Sequence, residues 1–197
     1  NNRAGGNVAN GIQSTLIRNA TMSGGTKKDM AVMELDELSF RKVLPYLTPD
    51  IILVTNLYRD SFSRNANPDF IFNVMSHYVS PKTTLVLNAD DLISCRLAPQ
   101  DANRVYYSIG RLADDTAEPQ GIVCDLTACP VCGGKLEYDY CHLRHLGHAT
   151  CKSCGFTNPE PDYELTALDR EAHTFTVCER SHEGAPTHTY RYGNYSI

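Results

Sequence analysis

"TTLVLNADD", residues 83–91, runs Thr, Leu and Val together and then stops abruptly at Asn-Ala-Asp-Asp. A nearly unbroken apolar run of this length suits a strand covered on both faces, and the polar ending suits a turn. "MAVMEL" (30–35), "DIILVTN" (50–56) and "RVYYSIG" (104–110) have the same character, so each is expected to be a strand. Between them, "DELSFRKVLPYL" (36–47) and "NPDFIFNVMSHYV" (67–79) repeat apolar residues at helical spacing. Asn67-Pro68 or Asp69 starts the second of these helices, and an earlier one covers "VANGIQSTLIRNA" (8–20). Strand and helix in alternation imply an α/β fold with a mostly parallel sheet.

Further along, "RLADDTAEPQG" (111–121) is polar, contains Pro and Gly, and reads as a linker. After the cysteine-rich stretch that follows, "YELTALD" (163–169), "HTFTVCE" (173–179) and "THTYRYGNYSI" (187–197) are rich in Thr, Tyr and Val. They predict short antiparallel strands with a hairpin around Asp169–Glu171. The sequence shows no internal repeat and no low-complexity tract.

The 197 residues are 42% hydrophobic, which suffices for one medium domain and a small appendage. A net charge of −5 with no strongly basic half argues against a mainly electrostatic grip on nucleic acid. No apolar run approaches the roughly 20 residues of a membrane span. "NNRAGGNVANG" (1–11) lacks the regions of a secretory signal, so a cytoplasmic location is the expectation.

Four of the eight cysteines form two Cys-x-x-Cys pairs: Cys129 with Cys132, and Cys151 with Cys154. Two thiolates on each tight knuckle, 18 residues apart, make a closed tetrahedral zinc site, more structural than catalytic. Gly133 and Gly155 follow the knuckles where a positive φ is required. This explains both pairs at once, which a redox role for either does not. Cys95, Cys124, Cys141 and Cys178 need only be reduced thiols, so metal and free thiols are preferred to a disulfide scaffold. His142, His145 and His148 could supply a ligand or a second site, but the plainer reading is polar residues on a solvated loop. Lys135, Arg144 and Lys152 with the nearby tyrosines are too sparse for a nucleic-acid surface.

Ligands of open parallel sheets bind beyond the carboxyl ends of the strands. Three predicted strands end in polar groups: Glu34, Asp36 and Glu37; Asn56, Arg59 and Asp60; Asn88, Asp90 and Asp91. Singly, such residues cap helices or form turns. Together they suggest a crevice for anions and a hard cation such as magnesium. "SGGTKKD" (23–29) has glycines and lysines, but not in the order of a phosphate-binding loop.

The order of these motifs resembles the Mur ligases. "NNRAGGNVANG" is similar to the N-R-[SA]-G-A-N segment after their phosphate loop, and "VMELDE" to their V-x-E-x-D-E strand. "TNLYRD" and "LNADD" are similar to their T-N-x-x-R-D and N-x-D-D stretches. The cysteine insert, with "HLGHATCKSCG" (145–155) fitting H-L-G-x-x-x-C-x-x-C-G, resembles one branch, the MurT subunits of lipid II isoglutaminyl synthase. The resemblance implies the central ATPase domain of a carbon–nitrogen ligase. Residues 1–122 would be its α/β core, 123–160 the zinc-ribbon insert, and 161–197 a β-rich return into the domain. It also implies ATP and magnesium as cofactors, a GatD-like glutaminase subunit as partner, and lipid II as substrate. ATP would activate the D-glutamate α-carboxyl as an acyl phosphate for attack by ammonia. Glu34 is then the best magnesium ligand, with Asn56, Asn88 and Asp91 shaping the nucleotide crevice.

The phosphate loop and C-terminal domain of the family have no counterpart in the sequence, which reads as a fragment inactive alone. "RDSFSRNAN" (59–67) has Ser61 and Ser63 where the family has stronger polar groups. Ser196 replaces an Asn in the terminal "YGNYSI". The readings weighed against this one are an amino-acid-adding Mur ligase and a non-catalytic docking module.

Overall fold

The computed structural model describes residues 6–26, 28–57, 68–98, 101–120, 126, 128–143 and 145–193. Its main sheet has six strands: β1 (Ile51–Val54), β2 (Thr84–Asn88), β3 (Arg104–Ile109), β6 (Tyr163–Asp169), β7 (Thr174–Glu179) and β8 (Thr187–Arg191). They lie in that spatial order. β1, β2, β3 and β6 run parallel, and β6, β7 and β8 are antiparallel. The remaining strands, β4 (Leu136–Leu143) and β5 (Leu146–Cys151), pair antiparallel as a separate hairpin. The fold is the expected α/β arrangement, with short antiparallel strands at its end and a four-cysteine cluster between.

Burial explains the order of elements. In β2, Leu85 and Leu87 are fully buried on one face. They pack with Ile71 and Met75 of helix α3 (Pro68–Tyr78) and Phe40 of the short helix α2 (Phe40–Val43). Helix α1 (Ala9–Asn19) buries only Ile12. Full burial of one such side chain contributes roughly 1.5–3 kcal/mol, so this cluster dominates the sheet's stability. The α2 region carries a further turn of 3-10 helix, Glu37–Ser39, whose Leu38 amide donates to Asp36 Oδ1 at 3.1 Å.

Two expectations need correction. "MAVMEL" is not a strand: residues 30–35 are extended without ladder bonds, and Met30 and Val32 are 80% and 66% exposed. Its apolar character is strand-like, but it pairs with no strand among the described residues. Coverage on both faces also fails at β1, where Ile51 and Leu53 stand 63% and 61% exposed.

The hairpin occupies a defined place in the topology. Parallel neighbours cannot be joined by a tight turn and need a long crossover. α3 makes that crossover from β1 to β2. From β3 to β6 it is made by the cysteine-bearing hairpin and its flanks. Leu126, Cys129, Leu136, Ala149 and Cys151 join the same apolar cluster as Leu85 and Leu87, so hairpin and sheet share one core.

Candidate functional site

Both cysteine knuckles turn on a glycine. Gly133 and Gly155 have φ of 73° and 74°, and their amides reach back to the carbonyls of Cys129 and Cys151 at 2.9 Å each. That left-handed turn folds the thiols inward, as the spacing predicted. The four Sγ atoms lie within 4.8 Å of one another, with Cys132 to Cys151 at 3.5 Å and Cys129 to Cys154 at 3.7 Å. A tetrahedral ion with bonds of about 2.3 Å to sulfur separates its ligands by about 3.8 Å, so the set fits zinc. The amides of Val131 and Gly134 donate to Cys129 and Cys132 Sγ at 3.4 Å.

The thiols do not share charge evenly. Burial opposes the Cys151 thiolate, but the Cys154 and Ser153 amides and the Cys132 thiol outweigh it and hold Cys151 at about 6. The Phe156 amide favours the Cys154 thiolate, yet its three thiol neighbours and burial push it up to about 12. Thiolates this close repel one another, and a bound cation would offset that repulsion. The described cysteines are all free thiols, with no disulfide among them.

The hairpin is bonded to the carboxyl ends of β2 and β3. Asn158 donates to Ala89 O at 2.6 Å and to Gly147 O at 2.9 Å, and accepts from Ala149 N at 2.7 Å. Gly147 N donates to Asp90 O at 3.0 Å. Asp90 Oδ2 accepts the Ile109 amide at 2.7 Å; burial outweighs that bond and pushes its carboxyl up to about 6. His142 Nδ1 lies 2.6 Å from Asp115 Oδ1, and its Nε2 lies 3.0 Å from Ile109 O. His145 is wholly buried, with Nε2 3.3 Å from Asp91 Oδ1.

The solvated-loop reading of the three histidines therefore holds only for His148, which is 41% exposed beside Asp139. Alternation along β5 was the missed signal. Residues 147, 149 and 151 face inward, and extending the period of two places His145 on the same side. Asn158 offered no comparable signal, because its three bonds depend on tertiary docking.

The sequence-predicted crevice residues separate into two kinds. Asn88 and Asp91 sit at the end of β2 and turn inward. Asn88 donates to Thr55 O at 2.8 Å and accepts the Asp90 amide at 2.9 Å. Asp91 accepts the amides of Leu57 at 2.6 Å and Ile93 at 2.9 Å and has no solvent exposure. These two side chains fasten the end of β1 to the end of β2. Glu34 is instead exposed, with Asn7 Nδ2 at 3.5 Å from Oε1, and Asn56 follows β1 half-buried. Arg59, Asp60, Ser61, Ser63 and Ser196 lie outside the described residues.

No protein-family model matches the chain. Over 169 residues, 85% of its length, the chain is 36% identical to the MurT subunit of lipid II isoglutaminyl synthase from Staphylococcus aureus. The same subunit from Streptococcus pneumoniae is 30% identical over 169 residues. This chain spans 37% of the length of each of these relatives. Among solved structures, a pseudomurein peptide ligase type C from Methanothermus fervidus superposes with a TM-score of 0.52 at 29% identity. The match covers 70% of this chain and 26% of that one. No helix of the described residues is long and apolar enough to cross a membrane.

Proposed function

This chain is a MurT-like segment of a Mur-ligase-type protein, and we propose that its parent is an ATP-dependent carbon–nitrogen ligase acting on a peptidoglycan precursor. The observation that carries the reading is the 36% identity over 85% of the chain. The fastened ends of β1 and β2 support it, because nucleotide sites of open α/β sheets lie at such ends.

In the proposed reaction the D-glutamate α-carboxylate of lipid II attacks the γ-phosphorus of ATP. A new P–O bond forms, the bond to the β-phosphate oxygen breaks, and ADP leaves. Ammonia from a glutaminase subunit then attacks the acyl carbon. The C–N bond forms, phosphate departs and a proton is lost, leaving an amide. Magnesium supplies charge neutralisation on the transferring phosphoryl group. Of the proposed residues, Glu34 has the exposed carboxylate such a hard cation accepts. Asp91, committed to two amides, shapes the crevice from behind instead. Asn56 lies at the open end of β1, and Asn88 fixes the turn beside it. Cys129, Cys132, Cys151 and Cys154 hold zinc in a structural role, within the insert that the family resemblance sets at about residues 123–160.

The test is the parent protein with a glutaminase subunit, glutamine, ATP and lipid II. Amidated lipid II and ADP should appear together, and Glu34→Ala should lower the rate by roughly 100-fold or more. ATP that is never consumed by the complete assembly would sink the ligase reading. Likeness to a peptide ligase favours a second reading, in which an amino acid replaces ammonia as the acceptor. Product mass separates the two. The isolated 197-residue chain should bind ATP weakly and turn none over, and robust turnover would show the crevice to be misread.

A further inference from the structure

We infer that His145 is a positioning residue for the nucleotide crevice, setting the ends of β1 and β2 from the cysteine hairpin through Asp91. The inference rests on the proposed nucleotide site at those strand ends.

The imidazole has no solvent exposure, and Asp91 likewise has none. Burying a polar group without a partner is costly, and burying an unpaired carboxylate costs more. Neither His145 nitrogen has a hydrogen bond among the described residues, and the Asp91 carboxylate at 3.3 Å is the charged group its Nε2 faces. The carboxylate in turn holds two amides, Leu57 at 2.6 Å and Ile93 at 2.9 Å. Leu57 directly follows the half-buried Asn56, so fixing its amide fixes the exit of β1.

The imidazole cannot drift with a loose loop. Gly147, two residues on, is bonded to Asp90 O, and Asn158 ties both Gly147 and Ala89. Residues 89–91 are thus gripped one after another by the hairpin, and His145 supplies the contact that reaches β1. Removing it leaves the Asp91 carboxylate buried with only its two amides, Leu57 and Ile93, to hold it, and loosens its grip on Leu57.

The experiment uses the full-length ligase with its glutaminase partner. His145→Ala should raise KM for ATP about tenfold while the KM for glutamine stays unchanged. Amide hydrogen exchange at Leu57 should speed up by at least tenfold in the same variant. His145→Gln, which keeps an N–H donor, should restore both readouts to within about threefold of the parent. If His145→Ala does not fold, His145→Leu fills the volume without the nitrogens and carries the same readouts. A merely structural role lowers the folded fraction and leaves KM for ATP alone in the molecules that remain. Fast exchange at Leu57 with unchanged KM for ATP overturns the proposal by removing the nucleotide from this end of the sheet. Unchanged exchange at Leu57 overturns it by removing the clamp.

Discussion

The β1–β3 sheet and the β4–β5 hairpin meet in one core but are held by different means. Around β2, Leu85, Leu87, Leu92 and Leu97 are completely buried, and the apolar contacts suffice. The hairpin buries fewer large apolar side chains: β4 gives Leu136 and Cys141, and the inward face of β5 is Gly147, Ala149 and Cys151, with His145 at its end. Small residues bring the backbone close enough for Asn158 and Gly147 to bond to the strand ends, but they bury little area. A region of that composition depends on its thiol cluster and its polar docking. The sheet depends on hydrocarbon.

Metal removal should expose the difference most strongly. Structural zinc binding is worth on the order of 10 kcal/mol, more than the hairpin's own burial can replace. Chelation should therefore abolish amide protection in β4 and β5 while β1, β2 and β3 keep theirs, as read by hydrogen exchange. Equal loss in both regions would break the comparison, because the sheet would then need the metal as well. Metal analysis of the folded chain should find about one zinc ion, and none with a folded hairpin would remove the site.

Leu87→Ala tests the other side. A buried leucine truncated without collapse costs about 2–5 kcal/mol, and here the loss should fall on cooperative unfolding in urea. Zinc content of the folded protein should not change.

Asp90 stands where the two regions touch, and its effect is intermediate. Its carboxyl sits at about 6 when folded against an ordinary 3.8, because burial outweighs the Ile109 amide. The folded state therefore binds the proton more tightly, so this group's contribution worsens as pH rises from about 4 to about 6 and is then constant. The difference amounts to roughly 2–3 kcal/mol. Asp90→Asn should flatten that part of the stability profile in urea titrations at pH 4 and pH 7. An unchanged profile would mean that the carboxyl is better solvated than its surroundings imply. Smallest of all, Lys152→Ala breaks an exposed 2.9 Å pair with Glu137 and should leave thermal unfolding unchanged.

The parts that the sequence disclosed are those governed by local periodicity. β1, β2, β3, α1 and α3 follow from apolar runs and helical spacing, and the knuckles follow from Cys-x-x-Cys-Gly. "MAVMEL" misled because strand character in a sequence says nothing of whether the segment joins a ladder. Asp91 and Asn88 read as open crevice groups because a strand-ending carboxylate has the same letters whether it faces water or a backbone amide. His145 was hidden for the opposite reason. A histidine amid Arg144, His142 and His148 looks solvated until the inward period of β5 is followed back to it.

The hairpin's place in the β3-to-β6 crossover also has a consequence for the order of folding. β6 cannot pair with β3 until the chain between residues 110 and 162 has been gathered up. Closing a long loop costs entropy that grows with the logarithm of its length, and parallel pairing must wait for that closure. An ion that joined residues 129 and 154 would take about half of the slack out before β6 arrives. A metal bound there would act on time as well as on structure. It would turn a late, long-range pairing into a shorter search, and β6 to β8 would join β3 at the end of it.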